Sequence, residues 1–235
     1  AVKVRENGDS ELVLECKDEA IRMTVGRKNR YYENVKDSDV FDDLVAAYSG
    51  LSRAGDATSL QHKEVVQHHI TDWDFLLLRA EANGMIVLVT DGTVNVVKPI
   101  TTPEAVLQVT YGSSLLEFEA EMDARNQWKS VRARSWDYSN QQLFETDSSS
   151  VPFSEPGNIS GSTLAEAVNL SQYDMHHSGH RLEEELHEWA KGFLLRSRLA
   201  KIRGRAKILG YSEIDPGDMV DLAGVGDRFN GKAYT

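Results

Sequence analysis

The feature that most constrains the fold is a strict alternation of residue types in the segment LLEFEAEM, residues 115–122. Its even-numbered positions are apolar, and its odd-numbered positions from 117 onward are glutamates. The segments 130–136 (SVRARSW) and 202–208 (IRGRAKI) alternate in the same way. Because successive side chains of a β-strand point to opposite faces, this pattern predicts strands that bury one face. The chain is therefore expected to be an α+β protein, mainly β with some α.

The charges on the first two of these segments suggest that they form a strand pair. If they pair antiparallel, Glu119 lies opposite Arg132 and Glu117 lies opposite Arg134. Such cross-strand pairs contribute about 0.2–1 kcal/mol each and serve mainly to fix the register. The connecting DARNQ could hold one helical turn, which would make the connection wider than a tight turn.

Two more alternating segments lie near the start of the chain, at 11–16 (ELVLEC) and 21–26 (IRMTVG). With the polar KDEA between them, they predict a β-hairpin with one buried face. Cys16 alternates with two leucines and is expected to be a small core residue. As the single cysteine, it excludes an intrachain disulfide framework and a multi-cysteine zinc site.

Helical periodicity begins after residue 37. Ser38 and Thr71 are the predicted N-caps of two helices, and a glycine ends each helix. Asp91-Gly92 then separates two β-branched runs, which predicts a two-residue hairpin. These elements predict a small α+β unit.

The second half of the chain contains a loop-like segment and a strong helix. Residues 145–163 are rich in serine, proline and glycine and are expected to form a long mobile loop. Residues 181–201 are predicted to be helical, with apolar residues along one stripe. Glutamates near the start of this helix and basic residues near its end match the helix dipole.

A glycine-rich stretch, EIDPGDMVDLAGVGDRFNGK, occupies residues 213–232. A phosphate cradle needs its glycines between a strand and a helix N-terminus, and no helix is predicted to follow. We therefore interpret these glycines as corners of a sheet. Pro216 and Gly217 suit a type II turn, and Asn230-Gly231 is either a two-residue hairpin turn or a bulge.

The overall charge of the chain disfavours two kinds of binding partner. A net charge of −11 argues against nonspecific nucleic-acid binding and against an anionic membrane surface. No apolar run approaches the length of about 20 residues that a membrane span needs. The chain begins with Ala1 in a strand-like segment and stops within another, so we expect a fragment of a longer protein, without a signal peptide.

A histidine cluster is the strongest candidate for a metal site. His180, Glu184 and His187 would share a helix face if the predicted helix began early, and His176 and His177 lie close by. A glycine interrupts the His176–His180 pair, and a solvated polar face is the interpretation that we favour. No catalytic, cofactor-binding or metal-binding residue is therefore predicted, and no cofactor. A metal-dependent hydrolase that uses His176, His180 and His187 is the alternative function.

Arg203, Arg205 and Lys207 form a basic row on one face of a predicted strand. The row could bind an anionic partner, or it could pair with acidic residues of this chain or of a neighbouring copy. In a chain of net charge −11 we favour pairing. The histidines at 68–69 precede a helix and are expected to act near its cap, and the glutamates of 115–122 are expected to form a solvated ladder rather than a glycosidase pair.

Three stretches together resemble a known family. They are VVQHHITDWDFLLLRAEANGM (65–85), LLEFEAEMDARNQWKSVRARSWDYSNQ (115–141) and LLRSRLAKIRGRAKILGYSEIDPGDMVDLAGVGDRFNGK (194–232). They are similar to the valine-glycine repeat (Rhs-element Vgr, VgrG-like) spike proteins of contractile injection systems, which are related to the baseplate hub protein of phage tails. The resemblance extends over nearly the whole chain.

This resemblance implies two related β-barrels of the phage-tail-hub type in tandem, with a small α+β insertion. On that pattern, residues 1–36 are a remnant of the first barrel and 37–100 are the α+β subdomain. Residues 101–235 are then the second barrel, which carries the mobile loop 145–163 and the helix 181–201. The start of the first barrel and the end of the second are expected to be missing.

The resemblance also implies a structural role rather than an enzyme. Three copies are expected to form a ring that joins the tube of the apparatus to its puncturing spike. The implied partners are further copies of the chain, the tail-tube protein, the spike tip and effector proteins. Assembly is expected in the cytoplasm, followed by secretion or injection with the apparatus.

Overall fold

The computed structural model describes residues 2–4, 10–99, 101, 104–210 and 213–235. The strands in these residues are β1 (Val2–Val4), β2 (Ser10–Leu12), β3 (Lys28–Lys36), β4 (Ser52–Gly55), β5 (Gln61–Ile70), β6 (Ile86–Thr90), β7 (Thr93–Val97), β8 (Leu107–Thr110), β9 (Leu115–Met122), β10 (Ser130–Asp137), β11 (Gln142–Ser148), β12 (Gln172–His177), β13 (Ile202–Ile208), β14 (Met219–Ala223) and β15 (Gly231–Tyr234). The helices are α1 (Asp37–Ala46), α2 (Asp72–Ala82), α3 (Gly161–Ala167), α4 (Glu183–Leu199) and a 3₁₀ helix (Glu19–Thr24).

The strands form six small sheets within the described residues. Three sheets have two strands (β1–β2, β3–β5 and β9–β13), and three have three strands (β4–β7–β6, β11–β10–β12 and β15–β14–β8). This mixed, mainly β architecture confirms the predicted α+β class. None of the six sheets closes on itself, so these strands do not form the closed barrels that the family resemblance implied.

One hydrophobic core is formed by α1, α2, the 3₁₀ helix and strands β5 and β7. From α1 it takes Val40, Phe41, Leu44 and Val45, which lie on one face of the helix because of their spacing and are at most 1% exposed. The helical periodicity of the sequence therefore identified the buried side of α1 correctly.

Local signals fixed several boundaries in this region. Thr71 caps α2 as predicted, because its Oγ1 accepts a hydrogen bond from the backbone N–H of Asp74 at 3.0 Å. Asp91 and Gly92 both have positive φ, 48° and 76°, and form the predicted tight turn between β6 and β7. Ser38 is not the N-cap of α1, because the helix begins one residue earlier, at Asp37. The backbone N–H of Ser38 donates to the side chain of Thr58 instead.

The predicted hairpin near the start of the chain is wrong. Most of its second segment lies in the 3₁₀ helix, which is capped by Asp18 through a 2.8 Å hydrogen bond from the backbone N–H of Ala20. This helix buries Met23 completely, and that burial outweighs the local strand pattern. Cys16 precedes the helix and is exposed, so its predicted place in the core is also wrong.

The predicted pairing of Glu119 with Arg132 and of Glu117 with Arg134 is wrong. β9 pairs antiparallel with β13, while β10 pairs antiparallel with β11 and parallel with β12. Both arrangements place carboxylates opposite basic residues, so cross-strand charge alone could not choose between them. Burial distinguishes the two pairings. α4 packs on the sheet in which β10 pairs with β11 and β12, and Val131 of β10 is fully buried there.

α4 carries the core of the second half of the chain. Leu186, Ala190 and Leu194 are fully buried against β10 and β12. Its first turn is acidic and its last turn is basic, as predicted from the sequence. A smaller cluster lies beside it, built on Val109, Leu115 and neighbouring residues. None of the described helices is long and apolar enough to cross a membrane.

The C-terminal glycines lie at corners of the β15–β14–β8 sheet. Gly217 has φ +102°, and a backbone hydrogen bond of 3.2 Å from Asp218 to Asp215 closes the predicted turn before β14. The loop 224–230 joins β14 to β15. The Asn230-Gly231 dipeptide lies where this loop enters β15, so it forms neither of the two predicted arrangements.

The segment predicted as a mobile loop, 145–163, contains the end of β11 and the start of α3. Between them the chain is held by Lys201, whose side chain is only 1% exposed. Its Nζ donates to the carbonyl oxygens of Pro156 and Ile159 at 2.8 and 2.7 Å, and it forms an ion pair with Glu155 at 2.9 Å. A lysine that follows α4 therefore anchors this segment.

Candidate functional site

A cluster of buried charges lies where α2 meets α4. Its centre is Arg79 of α2, which is 7% exposed. Arg79 Nε donates to Oδ1 of Asp37 at 2.6 Å, and Nη2 donates to Oδ2 at 2.8 Å. This two-point geometry is the strong form of a guanidinium–carboxylate pair. It joins α2 to the first residue of α1.

Three further side chains complete the cluster. Asn83 Nδ2 donates to Asp37 Oδ2 at 2.8 Å, and Arg79 Nη2 lies 3.4 Å from Glu185 Oε1 on α4. The Nε2 atom of His62, on β5, lies 2.9 Å from Asp37 Oδ2 and 3.0 Å from Arg79 Nη2. One ring nitrogen either donates or accepts, so His62 makes only one of these two hydrogen bonds at a time.

The two central groups remain charged despite their burial. Burial by itself raises the pKa of Asp37, but hydrogen bonds from His62 and Arg79 hold that pKa well below its usual value. Burial lowers the pKa of Arg79, and the hydrogen bonds and charge of Asp37 outweigh it, so that pKa is raised. Glu185 also pairs with Arg181, which lies two residues before α4. The cluster is therefore a closed set of opposite charges.

The same face of α4 continues the contact with the first half of the chain. Glu188 pairs with Lys98 at 2.7 Å, and Arg196 pairs with Glu81 of α2 at 2.7 Å. Together with Glu185, these residues recur at steps that keep them on one side of the helix. We call this face of α4 and its partners the α4 seam.

Two glycines allow the backbones to meet at the centre of the seam. A Cβ atom added to Gly192 would lie 2.6 Å from the Cα of Gly84, a distance that real Cβ atoms essentially never show. Gly84 has φ +65° and follows the end of α2. The close approach therefore requires glycine at position 192, and it fixes how far apart α2 and α4 can be.

The Asp37–His62 pair has the residue types of an acid–base couple, but its surroundings indicate a structural role. The Asp37 carboxylate is occupied by Arg79 and Asn83. His62 is only 8% exposed, so a substrate has little access to its ring. The cluster acts by joining α1, β5, α2 and α4.

The histidines considered as metal ligands have separate neighbours. His180 Nδ1 lies 3.7 Å from Asp137 Oδ1, and His187 Nδ1 lies 3.4 Å from Thr146 Oγ1. His176 is exposed on β12. Over the described ranges, no three histidine, cysteine, aspartate or glutamate side chains come together in a way that could hold a metal ion.

The basic row lies on the exposed face of β13, opposite the glutamates of β9. Lys207 Nζ is 2.6 Å from Glu117 Oε1. In the same register, Arg205 lies opposite Glu119 and Arg203 lies opposite Glu121. The favoured interpretation, pairing with acidic residues of this chain or of a neighbouring copy, is therefore confirmed for Lys207, whose partner lies in this chain.

Sequence reasoning missed the buried cluster. The signal that could have found it is the position of Arg79 within WDFLLLRAEA. Phe75, Leu76 and Ala80 form the buried stripe of α2, and the spacing puts Arg79 on that same stripe. A charged residue on a buried stripe requires a buried partner. The sequence could not show that the partner is Asp37, 42 residues earlier.

Comparison with known proteins shows which family and which solved structures this chain is similar to. Residues 1–235 match the family model described as the Alg8 N-terminal domain. The chain belongs to this family. No curated protein matches the sequence.

Three solved structures share the fold at low sequence identity. The tail protein from Neisseria meningitidis MC58 has a TM-score of 0.63 and 14% identity, with 87% of this chain and 62% of that chain covered. The 43 kDa tail protein of prophage MuSo2 from Shewanella oneidensis has a TM-score of 0.67 and 9% identity, with 92% of this chain and 64% of that chain covered. Prophage tail protein gp18 from Listeria monocytogenes EGD-e has a TM-score of 0.51 and 13% identity, with 86% of this chain and 60% of that chain covered.

These similarities establish that the chain has a phage-tail-protein fold, and they confirm that part of the expectation from the sequence. The chain spans less than two thirds of the length of each of these three proteins.

Proposed function

We propose that the chain is part of the structural hub, or spike base, of a contractile injection apparatus of the type VI secretion or phage-tail kind. Three copies form a ring that joins the tail tube to the puncturing spike and helps to deliver effectors. The partners are further copies of the chain, the tail-tube protein, the spike tip and effector proteins. Assembly takes place in the cytoplasm, and the ring leaves the cell with the apparatus.

The observation that carries this proposal is the tail-protein fold over most of the chain. The VgrG-like stretches of the sequence support the more specific assignment to a hub. In this role the protein works through assembly and load transmission, so its function is distributed over surfaces rather than concentrated in a reactive pocket.

The buried cluster supports a load-bearing role. Arg79 joins Asp37 and Glu185, which are far apart in the sequence, and the glycine contact in the α4 seam holds the two halves at a fixed spacing. Buried, fully paired charges are costly to separate. A unit held in this way moves as one body when a spike is driven forward.

The mass of the protein in solution tests the proposal. Sedimentation equilibrium of the full-length protein that contains this chain should give a species of three times the mass of one copy, and electron microscopy should show rings. A full-length protein that stays monomeric at every concentration would contradict the ring. Stoichiometric zinc in the purified protein that is lost in His180→Ala would contradict a purely structural role and favour the metal-dependent hydrolase.

A further inference from the structure

The β9–β13 sheet has two edges that no other described strand covers. β9 and β13 pair only with each other among the strands of the described ranges, and Leu115 at the start of β9 also forms a single bridge to Tyr111. Each strand therefore presents a row of backbone N–H and C=O groups that can pair with another strand. One side of this sheet is apolar, and it lines a cavity of about 520 Å³ together with residues of β8, β14 and β15. The charged residues of both strands are exposed, and Arg203 and Arg205 also border this cavity.

The two strands carry opposite charges at these exposed positions. Lys207 and Glu117 pair across the ladder. In contrast, Arg203 and Arg205 have no ion pair within 4 Å among the described residues, and the same holds for Glu119 and Glu121 in that part of the chain. An acidic strand and a basic strand therefore lie side by side, and four of their six charges make no ion pair within 4 Å among the described residues. The charge of Arg203 does act on Asp123, and that of Glu121 on Arg125.

A second ladder of the same chain shows a closed arrangement. On β10 and β11, Arg132 binds Asp147 through Nε at 2.6 Å and Nη2 at 3.0 Å. Arg134 Nε donates to Glu145 at 3.1 Å. The chain is thus able to satisfy a charged ladder internally. The unpaired charges of β9 and β13 are not a general property of its exposed strands.

We propose that this sheet is the contact between copies, with β13 of one chain adding to β9 of the next. This inference rests on the proposed ring and names the surface that forms it. Strand addition would supply main-chain hydrogen bonds, and the basic row of one copy would lie about 5 Å from the acidic row of its neighbour. Each arginine has enough donors to bind carboxylates on both flanking strands.

The signs of the charges favour a second copy over protection of a free edge. Proteins that protect edge strands from aggregation place charges where a second copy would be repelled. Here the two edges have opposite signs, so a head-to-tail contact is attractive. Such a contact uses two different surfaces of each copy, which is the kind of interface that closes into a ring when the rotation allows it.

Charge reversal on one strand tests the contact. Arg203→Glu/Arg205→Glu should raise the dissociation constant for self-association, measured by sedimentation equilibrium, by about tenfold or more. The matched control is Arg132→Glu/Arg134→Glu, which makes the same change of charge on another exposed strand and should leave association unchanged. Adding Glu119→Arg and Glu121→Arg to the first variant restores opposite signs and should restore association.

Crosslinking provides a second measurement that does not depend on charge-reversed variants folding. In a Cys16→Ser background, chains with Glu119→Cys and differently tagged chains with Arg205→Cys are mixed and oxidised. Disulfide-linked heterodimers should exceed homodimers of either variant. If the wild type forms rings but charge reversal and crosslinking show no such preference, the contact lies elsewhere and the proposed function stands. If the wild type forms no oligomer, both proposals fail.

Discussion

Replacing Arg79 with methionine should destabilise the protein by about 3–5 kcal/mol, because it removes one partner of a buried charge pair and leaves the other unpaired. Asp37 is 1% exposed and would lose both of its hydrogen bonds from the guanidinium. Glu185, 7% exposed, would lose its link to α2. For a chain of this length, about 4 kcal/mol corresponds to a decrease in Tm of about 10 °C.

The assay is urea unfolding followed by circular dichroism. Arg196→Met is the matched control, since Arg196 pairs with Glu81 along the same seam but both side chains are 40% or more exposed. Exposed pairs contribute at most about 1 kcal/mol, so this variant should stay close to the wild type. If the two variants lose equal stability, the reasoning about burial is refuted.

A double-mutant cycle sharpens this prediction. Asp37→Asn in the Arg79→Met background removes the carboxylate that has been left without its partner. The second substitution should then cost less than it does in the wild type, by about 1 kcal/mol or more. Simple additivity of the two changes would contradict a direct Asp37–Arg79 coupling.

Two further predictions concern the α4 seam and the pH dependence of the unfolding free energy. Gly192→Ala should lower the unfolding free energy by about 1–3 kcal/mol, because the added Cβ would meet Gly84. Gly210→Ala, which would have nothing within 4 Å of the added atom, should leave it nearly unchanged, and thermal unfolding of both variants compares them. The lowered pKa of Asp37 makes its stabilisation complete above about pH 4 and lost as the pH falls toward the folded-state pKa. Asp37→Asn should therefore flatten the decline in unfolding free energy below about pH 4, and an unchanged slope in acid urea titrations would count against the assignment.

Local patterns were reliable wherever one short-range interaction decides the structure. The cap at Thr71, the turn at Asp91-Gly92 and the turn at Gly217 each depend on a few neighbouring atoms. The buried face of α1 follows from helical spacing alone. The sequence also indicated that the basic row would meet acidic residues, and Lys207 does so.

The errors arose where a long-range choice was left open. Alternating segments specify which face is buried but not which strand is the neighbour, and the chain has several acidic and basic segments that complement one another. Burial of Met23 turned a strand-like segment into a 3₁₀ helix.

By itself the sequence determined the α+β class, the approximate positions of α1, α2, α4, β6, β7, β9, β10 and β13, and the tail-protein resemblance, because periodicity, caps and turns act over a few residues. Only the tertiary structure decided that β9 pairs with β13, that Lys201 anchors the segment around Pro156, and that Asp37, Arg79 and Glu185 meet. These contacts join residues that are tens of positions apart. Their free energy depends on burial and distance, which exist only once the chain has folded.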